Sequence, residues 1–171
     1  MKKAICLAVA VVMMMAVAGV ASAENKIGVG YYFQQDESVL TLAGELSLSD
    51  KVAFGFDYVG KKAASETELY GKLALQSFGP ASVGAFGGVK LIEGANIFKI
   101  GAYAQQPVSP QIAAYGRAGM AFQSGANSWF EAQGGLKADI MSPFWLAGEA
   151  LYSGREGADG TAFRVLAGMN F

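Results

Sequence analysis

From residue 27 to the C-terminus, apolar side chains recur at every second position in ten short segments. Side chains of a strand alternate between two faces, so this period of two calls for strands with one apolar face each. The first segment shows Ile27, Val29, Tyr31 and Phe33; the second Leu40, Leu42, Leu46 and Leu48; the third Val52, Phe54, Phe56 and Tyr58. Leu69, Leu73 and Leu75 mark the fourth, and Val83, Ala85, Val89 and Leu91 the fifth. The sixth carries Phe98, Ile100, Ala102 and Ala104; the seventh Ile112, Ala114, Ala118, Met120 and Phe122. Phe130, Ala132, Leu136 and Ala138 follow, then Phe144, Leu146, Ala150 and Tyr152. The last segment, Phe163, Val165, Ala167, Met169 and Phe171, ends the chain on an aromatic residue. Each segment spans about 8–12 residues, close to what a tilted membrane strand needs. A split or merged hairpin gives eight or twelve strands instead of ten.

The N-terminus reads as a secretory signal peptide over residues 1–23. Lys2 and Lys3 precede the apolar stretch Ile5–Val17, and Ala21-Ser22-Ala23 forms a small-residue cleavage site, so the mature chain starts at Glu24. Residues 24–171 form one domain, with no composition shift to mark a second. They contain neither Cys nor His, because Cys6 falls in the leader. Disulfides, thiolate or imidazole metal sites and histidine-based catalysis are thereby excluded. Nothing calls for a cofactor. The 13 Lys and Arg, less Lys2 and Lys3, leave 11 against 14 acids, a net of −3 that argues against nucleic-acid binding.

The chain is 53% hydrophobic, yet after the leader it has no run of about 18 apolar residues of the kind a helical span requires. Apolarity spread over short alternating segments is the pattern of a transmembrane barrel. With its terminal aromatic ladder, the chain resembles the small outer-membrane β-barrels of Gram-negative-type envelopes. The resemblance implies an all-β, antiparallel, up-and-down transmembrane barrel of ten strands in the cell outer membrane. It also implies that Phe163, Val165, Ala167, Met169 and Phe171 are the signal read by the barrel-assembly machinery, and that outer-membrane lipid surrounds the barrel. The enzymes of that family use His with Ser, Asp or Glu, so none of their sites carries over and a non-enzyme is expected.

The connections fall into two sets. Pro80, Pro107, Pro110 and Pro143 all lie in every second connection, which places them on the rim that carries both termini. In the resembled family that rim faces the periplasm. Both sets are short, which argues against an adhesin.

The second face of the strands is sparsely charged: Glu45, Asp57, Glu68, Lys72, Lys90, Lys99, Arg117, Glu131, Lys137, Glu149 and Arg164. Five acids against six bases suit a barrel interior, where an isolated charge costs several kcal/mol. Neighbouring strands suggest the pairs Arg117–Glu131, Glu149–Arg164 and Lys72–Asp57. Phe86, Tyr70, Tyr103, Tyr115, Trp145 and Leu166 are the bulky interior candidates. These residues either plug the lumen or line a narrow, porin-like path; ten strands lie near the size that side chains fill. Small residues on the apolar face of segments five to nine, among them Ala102, Ala118, Ala132 and Ala150, suggest a homo-oligomer seam. The competing fold is a secreted soluble all-β binding protein, lipocalin-like or a sandwich, whose apolar ladder would be core.

Overall fold

A computed structural model describes residues 25–156 and 160–171. The leader expected over residues 1–23 lies outside them. Ten strands occupy the described chain: β1 (Lys26–Gln34), β2 (Glu37–Ser47), β3 (Val52–Val59), β4 (Glu66–Phe78), β5 (Ala81–Ile92), β6 (Ala95–Pro107), β7 (Ile112–Gln123), β8 (Trp129–Met141), β9 (Phe144–Ser153) and β10 (Gly160–Asn170). Each pairs antiparallel with its sequence neighbours, and β1 pairs with β10, closing the barrel. Closure leaves no unpaired edge, which is what a sheet in hydrocarbon requires.

The polarity is inverted relative to a soluble protein. Val29, Phe54, Leu75, Phe98, Ile100, Phe130, Leu136 and Val165 are exposed on the outer wall. Asp57, Glu68, Glu149 and Arg164 are buried inside it. A water-soluble barrel would reverse this, since exposed apolar patches of such extent drive association. The soluble alternative, with its apolar ladder as core, is therefore not favoured. Tyr31, Phe33, Phe98, Phe122, Phe130, Tyr152 and Phe163 are exposed toward the rim opposite the termini, where aromatic rings suit the membrane–water boundary.

Two-residue turns hold several hairpins tightly. Glu93-Gly94 joins β5 to β6, and Gly94 sits at φ +79°, in the region where only glycine is unstrained. The register shifts between Ala74 and Gln76 in β4 and between Asp139 and Met141 in β8, both near the proline rim. Such bulges bend a strand and increase its twist, and so help a sheet to close.

Glycines on the inner wall are platforms for aromatic rings. A Cβ on Gly28 or Gly168 would run into the Trp145 indole, one on Gly55 into the Tyr70 ring, and one on Gly84 into Tyr103. Phe86 lies 2.7 Å from where a Cβ on Gly101 would stand. The rings fill the interior from one strand by lying on the bare backbone of another. The outer wall has such a pair too. Phe56 lies on the apolar face, as its alternation requires, yet is only 3% exposed because its ring lies over Gly44, directly opposite on β2.

Candidate functional site

The interior holds two chambers of about 90 Å³ each. The first lies toward the loop rim and is lined by Tyr32, Glu66, Glu68, Lys90, Lys99 and Glu131 among others. The second lies toward the proline rim and is lined by Lys26, Glu45, Tyr70, Lys72, Tyr103, Tyr115, Lys137, Trp145 and Glu149 among others. Asp57, Arg117, Gln133 and Arg164 line both. These four form the waist between the chambers.

With Glu149 they close a ring of hydrogen bonds across the lumen. Arg164 Nη1 donates to Asp57 Oδ1 at 2.7 Å, and Arg117 Nη2 donates to Asp57 Oδ2 at 2.9 Å. Arg117 Nε donates to Gln133 Oε1 at 2.9 Å, and Gln133 Nε2 to Glu149 Oε2 at 3.0 Å. Arg164 Nε completes the ring on Glu149 Oε2 at 2.5 Å. The five side chains come from β3, β7, β8, β9 and β10, so the ring spans the bore. Tyr115 Oη donates to the other oxygen of Glu149 at 2.5 Å.

The ring is one end of a chain of alternating charge. From the loop rim inward, Lys61 meets Glu66 (2.9 Å), Glu66 meets Lys90 (3.6 Å) and Lys90 meets Glu131 (3.6 Å). Glu131 meets Lys99 (2.5 Å), Lys99 meets Glu68 (2.6 Å) and Glu68 meets Arg117 (3.0 Å). Arg117, Asp57, Arg164 and Glu149 finish it. Five cations alternate with five carboxylates, so the chain is neutral. Every inner member touches two partners of opposite sign, the condition under which buried charge is tolerable.

Two like-charged neighbours explain part of this layout. Asp57 and Glu68 stand directly opposite each other on β3 and β4. Such a pair is repulsive on its own. The Arg117 guanidinium reaches from β7 and puts one nitrogen on each carboxylate. A planar fork does this with a separate nitrogen for each carboxylate.

All eleven charged residues singled out in the sequence lie on the walls of the two chambers. Their partners differ from the neighbour-strand reading in two of three cases. Glu149 and Arg164 are opposite in register and paired. Arg117, however, stands opposite Gln133, not Glu131, and its carboxylates come from β3 and β4. Lys72 stands opposite Ala53, four residues along β3 from Asp57, and pairs with Glu45 instead. The bore is narrow enough for long side chains to cross it, so adjacent strands do not set the partners. Lys137 pairs with Asp139 at 3.1 Å near the proline rim. Lys26, Lys61, Glu66, Gln133 and Trp129 belong to the interior as well and were missed. Lys26 and Glu66 sit at strand ends, in phase with inward-facing Gly28 and Glu68. The bulky interior also extends beyond the six expected residues, to Tyr32, Ile97 and Trp129.

At the loop rim, Lys61 lies over the Tyr32 ring at 5.2 Å and Arg155 over Trp129 at 5.2 Å. These residues surround a vestibule of about 340 Å³ above the first chamber. The terminal ladder Phe163, Val165, Ala167, Met169 and Phe171 is exposed on the outer wall.

No protein-family model matches the chain, and no curated protein sequence matches it. Solved structures do. The KdgM porin superposes with a TM-score of 0.59 at 11% identity, covering 85% of this chain and 99% of that one. The translocator domain of autotransporter NalP from Neisseria meningitidis gives 0.52 at 11% identity, covering 99% and 98%. The outer-membrane protein Ail of Yersinia pestis, determined in a phospholipid bilayer nanodisc, gives 0.51 at 13% identity, covering 88% and 100%. Joined to the closed sheet, the apolar outer wall and the charged bore, these likenesses show that the chain has the fold of the outer-membrane β-barrel proteins, in a ten-stranded, up-and-down form.

Proposed function

We propose that this chain is an integral outer-membrane barrel that acts as a narrow channel, closed at its waist, and not as an enzyme. The observation that carries the reading is the ring Asp57–Arg117–Gln133–Glu149–Arg164, which separates two polar chambers inside one bore. A purely structural barrel has no need of polar chambers that open toward both rims. An apolar filling of the same volume would be neutral or stabilising. Catalysis finds no support, since residues 24–171 lack His and Cys and the waist carboxylates are held by arginines. Planar-bilayer recording of the refolded chain tests the proposal. The intact ring predicts a barely conducting state, and substitutions in the ring open it.

Two partners belong to the same proposal. The exposed C-terminal ladder is the segment offered to the barrel-assembly machinery. Deleting Phe171 then slows assembly in cells and leaves refolding in detergent unchanged. The small-residue sector of β5 to β9 is the seam for a second copy. Its outer wall is hollowed along Ala102, Ala118, Ala132, Gly134 and Ala150, between Leu75 and Tyr152. Close packing is what drives association in lipid. Crosslinking from Ala118 and Ala132 in membranes detects such a contact, and a strictly monomeric pattern contradicts it.

A further inference from the structure

The joints of the waist ring are not equal. Three of them join two ions: Asp57 with Arg117, Asp57 with Arg164, and Arg164 with Glu149. The other two are made by Gln133, the uncharged member of the ring. Its Oε1 accepts from Arg117 Nε at 2.9 Å, and its Nε2 donates to Glu149 Oε2 at 3.0 Å. An amide accepts at one end and donates at the other, so it can link a cation to an anion. Its bonds lack the charge–charge attraction of an ion pair, which a confined bore screens poorly.

Gln133 can also let go without stranding a charge. Arg117 keeps Asp57 at 2.9 Å and Glu68 at 3.0 Å. Glu149 keeps Arg164 and the Tyr115 hydroxyl, each at 2.5 Å. Parting any of the other three joints separates two buried ions, the costlier event. The side chain of Gln133 lines both chambers, so its amide can turn into either. Directly opposite it on β9 is Leu151, an apolar side chain that gives the amide no further anchor.

We propose that Gln133 is the latch of the waist. The ring opens where its amide leaves Arg117 and Glu149, and the paired ions Arg117, Asp57, Arg164 and Glu149 remain as the frame of the opening. The moving part of the unaltered barrel is thus one uncharged side chain of β8, and no ion pair breaks. This inference rests on the reading of the bore as a lumen closed at the waist.

Single-channel recording of Gln133→Asn and Gln133→Leu in a planar bilayer, beside the parent barrel and Asp57→Ala, tests it. Asparagine keeps the amide but is one methylene too short to reach both partners. Leucine keeps the bulk and makes neither bond. Both variants should open roughly tenfold more often than the parent, the effect of losing one hydrogen bond to a charged group. Both should also hold a urea midpoint in phospholipid vesicles closer to the parent's than Asp57→Ala does, because their ion pairs are intact. If Gln133→Leu fails to fold, Gln133→Asn decides. Openings as rare as the parent's in the Gln133 variants, with Asp57→Ala conducting, overturn the latch and leave the closed waist standing. Equal conductance in all four barrels overturns both. A Gln133 variant less stable than Asp57→Ala overturns the latch too, since Gln133 would then be a structural tie.

Discussion

Arg164 Nη1 and Asp57 Oδ1 meet at 2.7 Å across the bore, although 107 positions separate them in the chain. Arg164 is 2% exposed, and its guanidinium also holds Glu149 on the adjacent strand. Asp57 is thus the link through which both waist arginines are tied to β3. Asp57→Ala leaves two arginines with one carboxylate each, Glu149 and Glu68. We expect a loss of about 3 kcal/mol, at the low end for breaking a buried ion pair. Urea titration in phospholipid vesicles measures it.

Arg117 compensates two opposed carboxylates, through a hydrogen bond to Asp57 and an ion pair with Glu68. Arg117→Lys keeps the charge and loses the fork, and should cost about 2 kcal/mol, one charge-assisted hydrogen bond. Arg117→Ala should cost more, because Asp57 and Glu68 then face each other uncompensated. Adding Glu68→Gln to Arg117→Ala should recover part of that loss, although Glu68→Gln alone destabilises. A double-mutant cycle with coupling of about 1 kcal/mol or more is the expected outcome. Simple additivity would mean that the fork does not bridge the pair.

Trp145 fills the proline-rim chamber by lying on Gly28 and Gly168. Trp145→Ala should destabilise by about 3 kcal/mol through the cavity it leaves. Gly28→Val should displace the indole and be costly as well. Because a valine at position 28 has no room while Trp145 is present, the double variant should be less unstable than the sum of the two. The same vesicle assay reports it.

Ile100 is 63% exposed at mid-height on β6. If that wall faces hydrocarbon, Ile100→Lys should cost about 2–4 kcal/mol in a bilayer. The same substitution in a water-facing wall would be nearly neutral. Comparison with Val165→Lys, on β10, extends the test around the barrel.

The period of two made the ten strands and their two faces legible, because side-chain alternation in a strand has no alternative register. It placed Asp57, Arg117 and Arg164 on the inner wall for the same reason. It did not reveal their partners. A neighbour-strand argument reaches only residues opposite each other, such as Glu149 and Arg164. Asp57 meets Arg117 and Arg164 because barrel closure brings β3 within reach of β7 and β10, and nothing local in the sequence encodes that. Strand ends were the other gap. Lys26 and Glu66 lie where alternation gives way to turns, and both prove to be interior charges. Phe56 shows a third limit: alternation put it on the outer face correctly, but its burial depends on Gly44 of the next strand.

Single-channel recording of the refolded chain in a planar bilayer, beside Asp57→Ala, tests the central claim most directly. A waist closed by the Asp57 ring predicts little or no current from the parent barrel and discrete, several-fold larger steps from Asp57→Ala, with insertion confirmed for both. Equal conductance of the two, whether both open or both silent, would contradict it.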